Sequence, residues 1–298
     1  MNKNKLSVFA SELLLLLAAI VWGFAFVAQK VGMESLGPMA YNGIRFLVGS
    51  ASLLPVIWFF NRKSSYSETK QQKKSYLWIA GIISGMVLFV AASIQQIGIV
   101  YTTAGNAGFI TSIYVILVPV FGLFLKQKVN VQTWIGALVA LIGLYFLSVS
   151  EGLSLVIGDA LVLGSAFFWA AQVLLASYYA PRVNIIKLAA IQFALTGILS
   201  LVISFFTETY GLQNIYDAAI PILYGGILSV GLAFTLQLIA QKNVIPSHAA
   251  IILSTESLFA AIGGWLILSE QLTSIEIFGA TLMLMGVILS QLKFKIPR

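Results

Sequence analysis

Residues 252–261, "ILSTESLFAA", place Glu256 inside an otherwise apolar run, with only the hydroxyls of Ser254, Thr255 and Ser257 for polar company. Within a bilayer a charge there would cost at least about 2.5–3.5 kcal/mol, so such residues usually act on a substrate or an ion. A carboxylate in this setting can bind a cation or an ammonium group, or carry a proton through a transport cycle. The bland alternative is a permanently protonated Glu bonded to a neighbouring helix. Arg45 is a second ionisable residue in an apolar run. About six residues, or ~9 Å, from its start, it could grip a carboxylate with its two-pronged guanidinium. At that depth it could equally snorkel or anchor backbone carbonyls. Trp22 and Trp169 lie inside apolar runs and could wall a cavity, with cation–π capacity, or simply pack. Gln95 and Gln237, with Gln96, Gln29, Gln172 and Tyr114, are polar groups that must find partners in an apolar surround, either across helices or around a ligand. Asn106 and His248 open two of the apolar runs. A lone His is more often a hydrogen-bonding residue than a metal ligand, and no ligand cluster accompanies this one. Glu12 and Asp159 sit near helix starts, where the helix dipole favours an acid without any function.

The elements that hold these residues follow from composition. The chain has 298 residues, 59% hydrophobic and 9% charged, with a mean hydropathy of +0.97. Soluble chains carry roughly 25% charged residues, so this is an integral membrane protein by expectation. There is no Cys, which excludes disulfides and thiolate metal sites. The net charge of +7 does not imply nucleic acid, because the basic residues fall in short loops between apolar runs. The opening "MNKNKLSVFASELLLLLAAIVWG" resembles a signal peptide. Its apolar run is too long, however, and lacks a clear cleavage site, so it is expected to stay as a first span.

A spanning helix needs about 20 mostly apolar residues. Ten candidates are expected, near 8–29, 39–60, 76–98, 103–125, 131–149, 156–178, 186–206, 217–240, 247–268 and 275–292, with the polar loop 61–75 the longest link. With the N-terminus in the cytoplasm, fifteen of the 17 basic residues fall on the cytoplasmic side. They are Lys3, Lys5, Arg62, Lys63, Lys70, Lys73, Lys74, Lys126, Lys128, Arg182, Lys187, Lys242, Lys293, Lys295 and Arg298. The positive-inside rule then puts both termini in the cytoplasm.

The halves also resemble each other. "ELLLLLAAIVWGFAF" (12–26) aligns with "DALVLGSAFFWAAQV" (159–173), so Trp22 meets Trp169 and, at the same offset, Arg45 meets Gln192. "AGNAGFITSIY" (104–114) aligns with "PSHAAIILSTE" (246–256), so Asn106 meets His248, Tyr114 meets Glu256, and Gln95 meets Gln237. The expected fold class is therefore all-α integral membrane, with ten transmembrane helices as two inverted five-helix repeats, residues 1–150 and 151–298. Inverted repeats are a transporter architecture with the site near the bilayer middle. Gly136, Ala140 and Gly143 in the fifth span, and Gly279 and Gly286 in the tenth, give small-residue faces suited to close packing of scaffold helices, or to a dimer.

In "AAIVWGFAFVAQKVG" (18–32), "IRFLVGSASLLPV" (44–56) and "LIAQKNVIPSHAAIILSTESLFAAIGGWLILSEQLTSIEIFGATLMLMGVIL" (238–289) the chain resembles the drug/metabolite transporter superfamily, specifically its EamA-type ten-helix members. The resemblance implies a transporter of small metabolites, often an exporter, with cytoplasmic termini and a central cavity shared by the halves. Family members usually carry Pro directly after the Glu of the ninth span. Ser257 stands there instead, which implies a straighter helix around Glu256, and Pro119 lies about a turn later than expected in the fourth span.

Taken together, the expected function is secondary active transport of a small metabolite, such as an amino acid or amine, across the plasma membrane. Alternating access would operate around a cavity between spans 1–4 and 6–9, with proton coupling through Glu256. The substrate, the bilayer and protons are the expected partners, with no cofactor and no metal. No Walker-type loop occurs, so ATP is not expected to drive it directly. A phosphorylated-sugar carrier would want several intramembrane basic residues, and only Arg45 is available. The alternatives are an enzyme on a lipid-linked substrate, disfavoured by scattered acids and short loops, and a structural or sensor subunit, which would leave the inverted repeat unexplained.

Overall fold

The computed structural model describes residues 7–63, 74–127, 129–148, 157–269 and 273–291. Basic residues assigned above to positions 3, 5, 70, 73, 128, 293, 295 and 298 lie outside these, as does most of the loop 61–75. All regular structure in the described residues is helical. The first half runs α1 (Val8–Gly32), α2 (Pro38–Ser52), α3 (Leu54–Lys63), α4 (Lys74–Val100), α5 (Ala104–Thr111), α6 (Tyr114–Phe124) and α7 (Val131–Ser148). The second runs α8 (Ile157–Tyr179), α9 (Ile185–Thr207), α10 (Leu212–Asp217), α11 (Ala219–Leu223), a π-helical segment (Tyr224–Ala233), α12 (Phe234–Ala240), α13 (Pro246–Leu253), α14 (Glu256–Ile267) and α15 (Ser274–Gln291).

Among the described residues, eight helical stretches are long and apolar enough to cross a membrane: Val8–Gly32, Pro38–Phe59, Ser75–Val100, Ala104–Phe124, Ile157–Tyr179, Ile185–Thr207, Ala219–Ala240 and Pro246–Ile267. Two further apolar helical stretches, Val131–Phe146 and Ile277–Ser290, are shorter. These two belong to α7 and α15, which pack on each other through the small residues expected to mediate such a contact. A Cβ on Gly286 would lie 2.6 Å from the backbone of Ala140 and Gly136, and one on Gly143 would lie 2.5 Å from Met283 N. The small-residue face is therefore spent inside the chain, where it lets two backbones approach and gain dispersion contact.

The same device sets α4. Near its end, a Cβ on Gly98 would lie 2.7 Å from Val162 and 2.9 Å from the Gly158 carbonyl of α8. Near its start, Gly81 and Gly85 admit Ile191, Gln192 and Leu195 of α9 instead. The helix thus leans on α8 at one end and on α9 at the other. At the centre, α2 meets α9 through Gly43 and Gly197, and meets the π segment through Gly49 and Gly226. A continuous core of Phe46, Leu88, Leu188, Phe193, Val230 and Phe234 fills the space between these helices. Outward-facing side chains are apolar too, with Phe124, Phe205, Phe206 and Ile220 each about 80% exposed, as a lipid-facing surface requires.

Candidate functional site

The apolar stretches Ala104–Phe124 and Pro246–Ile267, expected from the sequence as the fourth and ninth spans, are each broken, and at matching positions. α5 ends at Thr111 and α6 starts at Tyr114; α13 ends at Leu253 and α14 starts at Glu256. The expectation of a straighter helix around Glu256 is corrected here. Hydroxyls do the work of the missing Pro, by bonding back to carbonyls that would otherwise serve the helical ladder. Ser254 Oγ donates to Ile251 O at 2.8 Å, Thr255 Oγ1 to Ile252 O at 2.7 Å, and Ser257 Oγ to Ser254 O at 2.9 Å. The backbone tightens in step, with Thr255 N bonded to Ile252 O and Ser257 N to Ser254 O. In the fourth span Ile113 N bonds Ile110 O and Val115 N bonds Ser112 O in the same three-residue pattern. The two breaks touch, since Ser112 Oγ donates to Ser254 O at 3.1 Å.

Each break is a tightening of the helix, with right-handed helical dihedrals kept throughout. Glu256 follows the second of them and is buried, 4% exposed. Its repeat mate Tyr114 starts α6 and lines the same cavity as Glu256. The Tyr114 hydroxyl makes no hydrogen bond of standard geometry among the described residues.

A cavity with about 500 Å³ of atom-free space, counting what is open at its mouth, lies against both. It brings together Glu256, Tyr114, Trp22, Trp169, Gln95, Gln237, Arg45 and Gln29, all singled out in the sequence, whereas Gln96 and Gln172 are not among its lining residues. His248 and Asn106 are not among its lining residues. His248 Nε2 shares a 3.1 Å hydrogen bond with Thr133 Oγ1 of α7, and Asn106 lies in the first turn of α5, where its N–H donates to Thr103 Oγ1.

Arg45 does not snorkel. It is 3% exposed, and its Nε and Nη2 donate to Asn42 Oδ1 at 3.1 and 2.8 Å, with a longer bond from Nη2 to Gln96 Oε1. Its guanidinium lies over the Phe46 ring, 4.8 Å from the centroid. Its repeat mate Gln192 instead accepts from Gln172 Nε2 at 3.2 Å. Only one half therefore delivers a cation to the cavity. Among the described residues neither Arg45 nor Glu256 has a salt-bridge partner.

The two tryptophans flank Phe234, at centroid distances of 4.6 Å from Trp22 and 5.9 Å from Trp169, the latter nearly parallel. Their indole N–H groups differ. Trp22 Nε1 donates to Ser229 O at 3.1 Å, a carbonyl of the π segment that also accepts from Phe234 N. Trp169 Nε1 is buried without a partner among the described residues, as is Gln237 Oε1. Gln95 Nε2 is held by Thr111 Oγ1 at 2.7 Å.

Sequence reasoning missed Phe234, Thr111 and Ser229 as lining residues. Phe234 is one of 20 phenylalanines in a hydrophobic chain and carries no signal of its own. Ser229 contributes through its backbone. Thr111 could have been found from its place one residue before the Ser112 mate of Ser254. Among the described residues, no group of three or more His, Asp or Glu could hold a metal ion.

The profile of the EamA-like transporter family matches twice, at residues 9–149 and 156–292. An uncharacterized transporter of Archaeoglobus fulgidus is 34% identical over 284 residues, covering 95% of this chain and 86% of its own length. The uncharacterized transporter YoaV of Bacillus subtilis is 27% identical, covering 92% of this chain and 94% of its own. A crystal structure superposes with a TM-score of 0.77 over 96% of this chain and 97% of its own at 17% identity, which bears on the fold alone. Two family matches laid end to end over a helical chain with a central cavity make this multi-pass membrane protein a member of the EamA-like transporter family.

Proposed function

We propose that this transporter moves a small zwitterionic metabolite of the amino-acid type across the plasma membrane by alternating access. The observation that carries the reading is the pairing, in one cavity, of a buried carboxylate and a buried guanidinium that do not neutralise each other. Two opposite charges left apart in a desolvated site are each unfavourable alone. A ligand with an ammonium group for Glu256 and a carboxylate for Arg45 relieves both. Tyr114, the Trp169 N–H and the Gln237 carbonyl offer further hydrogen bonds, and the Trp22–Phe234–Trp169 wall accepts an apolar or aromatic side chain.

In this reading the two shorter helices, α7 and α15, also cross the membrane. That gives ten spans as two inverted five-helix repeats with both termini cytoplasmic, as the charge asymmetry of the loops supports. The broken spans then meet at mid-membrane, where discontinuous helices commonly hold transporter substrates. Glu256 also serves as the coupling group, exchanging its proton for the substrate's ammonium during the cycle.

The test is uptake and counterflow in proteoliposomes with a panel of amino acids and amines, with and without a pH gradient. Glu256→Gln should fold but bind ammonium-bearing substrates more weakly and lose pH-gradient-driven transport. Transport by that variant with the pH dependence of the wild type would refute the coupling role.

A further inference from the structure

A second, larger concavity lies away from the central cavity. Because α4 leans on α8 through Gly98 at one end and on α9 through Gly81 and Gly85 at the other, it parts from α6 over the second half of α8. The gap is a groove enclosing about 1580 Å³ of atom-free space. One wall is Ile83 and Val87 of α4, the other is Phe121 and Phe124 of α6, and Leu174 and Leu175 of α8 form the floor. Leu174 is nearly buried, while Ile83 and Phe124 are exposed, so the groove is open along its flank to the surrounding bilayer. Polar groups gather only where α6 and α8 end: Gln127, Ser177, Tyr178 and Arg182.

We infer that this groove is a binding site for an anionic phospholipid, with one acyl chain between α4 and α6 and the headgroup phosphate on Arg182. An apolar recess of this size inside a membrane is filled by what the solvent offers, and there the solvent is acyl chain; an empty one would forfeit dispersion contact along both walls. The headgroup end has matching chemistry. Arg182 is exposed, its Nη1 donates to Tyr178 O, and its guanidinium lies over the Tyr178 ring, 4.1 Å from the centroid. That stacking fixes the side chain at the mouth of the groove while leaving further N–H donors for a phosphate. No acid among the described residues pairs with it. Lys126, between the lining residues Leu125 and Gln127, adds a second cation at the same membrane face. On the orientation proposed above this is the cytoplasmic leaflet, the one whose lipids carry negative charge. The site stands on its own geometry, independent of which metabolite the central cavity takes.

The test is lipid retention. The whole protein is reconstituted in phosphatidylcholine vesicles containing a minor share of phosphatidylglycerol, re-extracted in mild detergent, washed, and its phospholipid quantified by mass spectrometry. The wild type should retain phosphatidylglycerol well above its share in the vesicle. Arg182→Ala should weaken that enrichment about fivefold, the effect of one basic contact at the membrane surface, and Arg182→Lys should keep most of it. Ala171→Phe, which fills the groove, should lower retention of both lipids, with an unchanged gel-filtration profile as the check on folding. Retention at the vesicle composition by the wild type, or full enrichment by Arg182→Ala, would overturn the assignment. Equal loss of enrichment in Arg182→Lys and Arg182→Ala would overturn the role given to the charge.

Discussion

Ser112 and Ser254, repeat mates in the sequence, are joined by a hydrogen bond of 3.1 Å from the hydroxyl of the first to the carbonyl of the second. The contact ties together the two helix breaks from which Tyr114 and Glu256 emerge, so the internal symmetry of the chain passes through the site itself. It also explains how a span can break without Pro. The ladder is interrupted by hydroxyls that bond to it from within, and the carbonyl left at the break is taken up by the other repeat.

Ser257→Pro should therefore be tolerated. Position 257 lies in the first turn of α14, where a missing N–H removes only the backbone bond to Ser254 O, and the lost hydroxyl its bonds to Ser254 O and Met283 Sδ, and Pro is accepted at helix starts. The expected loss is about 1–2 kcal/mol. Ala260→Pro, three residues on, lies in a continuous helix and should lose about 3 kcal/mol or more. Thermal unfolding in detergent separates the two; equal losses would mean that the stretch Pro246–Ile267 is continuous through Glu256.

Much of this site was legible in the sequence because duplication marks it. Trp22 with Trp169 and Gln95 with Gln237 recur at fixed offsets, and all four line the cavity. Glu256 and Arg45 stand out by charge in apolar runs. Asn106 and His248 are mates too, but neither is among the residues lining the cavity, and His248 instead meets Thr133. The helix breaks were not legible, because Ser and Thr interrupt a helix only if their hydroxyls turn back onto it, a choice of rotamer rather than of residue type. The π segment was hidden for the same reason. Its sequence, "YGGILSVGLA", reads as an ordinary apolar helix, and what sets it apart is the Ser229 carbonyl shared by Phe234 N and Trp22 Nε1.

The two tryptophans should answer differently to the same substitution. Trp22→Phe removes the bond to Ser229 O and should lower stability by about 1 kcal/mol. Trp169→Phe removes an N–H that has no partner among the described residues, so stability should hold while substrate affinity falls. Melting temperature and substrate Kd, measured side by side, give the comparison, and a stability loss in Trp169→Phe alone would reverse it.

Arg45→Lys should not substitute for Arg45. The planar guanidinium is held at two nitrogens by Asn42 Oδ1 and stacked on Phe46, a geometry an ammonium cannot reproduce. Binding of carboxylate-bearing substrates should weaken about tenfold or more, since charge-assisted bonds contribute about 1.5–3 kcal/mol, while amines without a carboxylate should be little affected. Competition binding with paired amino acids and decarboxylated amines reads this directly.

The last prediction concerns a clamp between the halves. Glu208, just past the end of α9, accepts hydrogen bonds from Met39 N at 2.8 Å and Ala40 N at 2.7 Å, the first turn of α2, and from Ser204 Oγ at 2.9 Å. A carboxylate from one repeat thus caps a helix of the other. It meets two otherwise unsatisfied N–H groups and the positive end of the α2 dipole together. Glu208→Gln keeps one amide oxygen but loses the charge and the second acceptor, so α2 should loosen from α9 at this end, at a cost of about 1–2 kcal/mol. Glu208→Ala leaves both N–H groups unmet and should cost more. Hydrogen exchange at Met39 and Ala40 is the local measurement. Faster exchange there in Glu208→Gln, with α7 and α15 unchanged, is the expected result, and unchanged exchange would show that α2 is held by its glycine contacts with α9 alone.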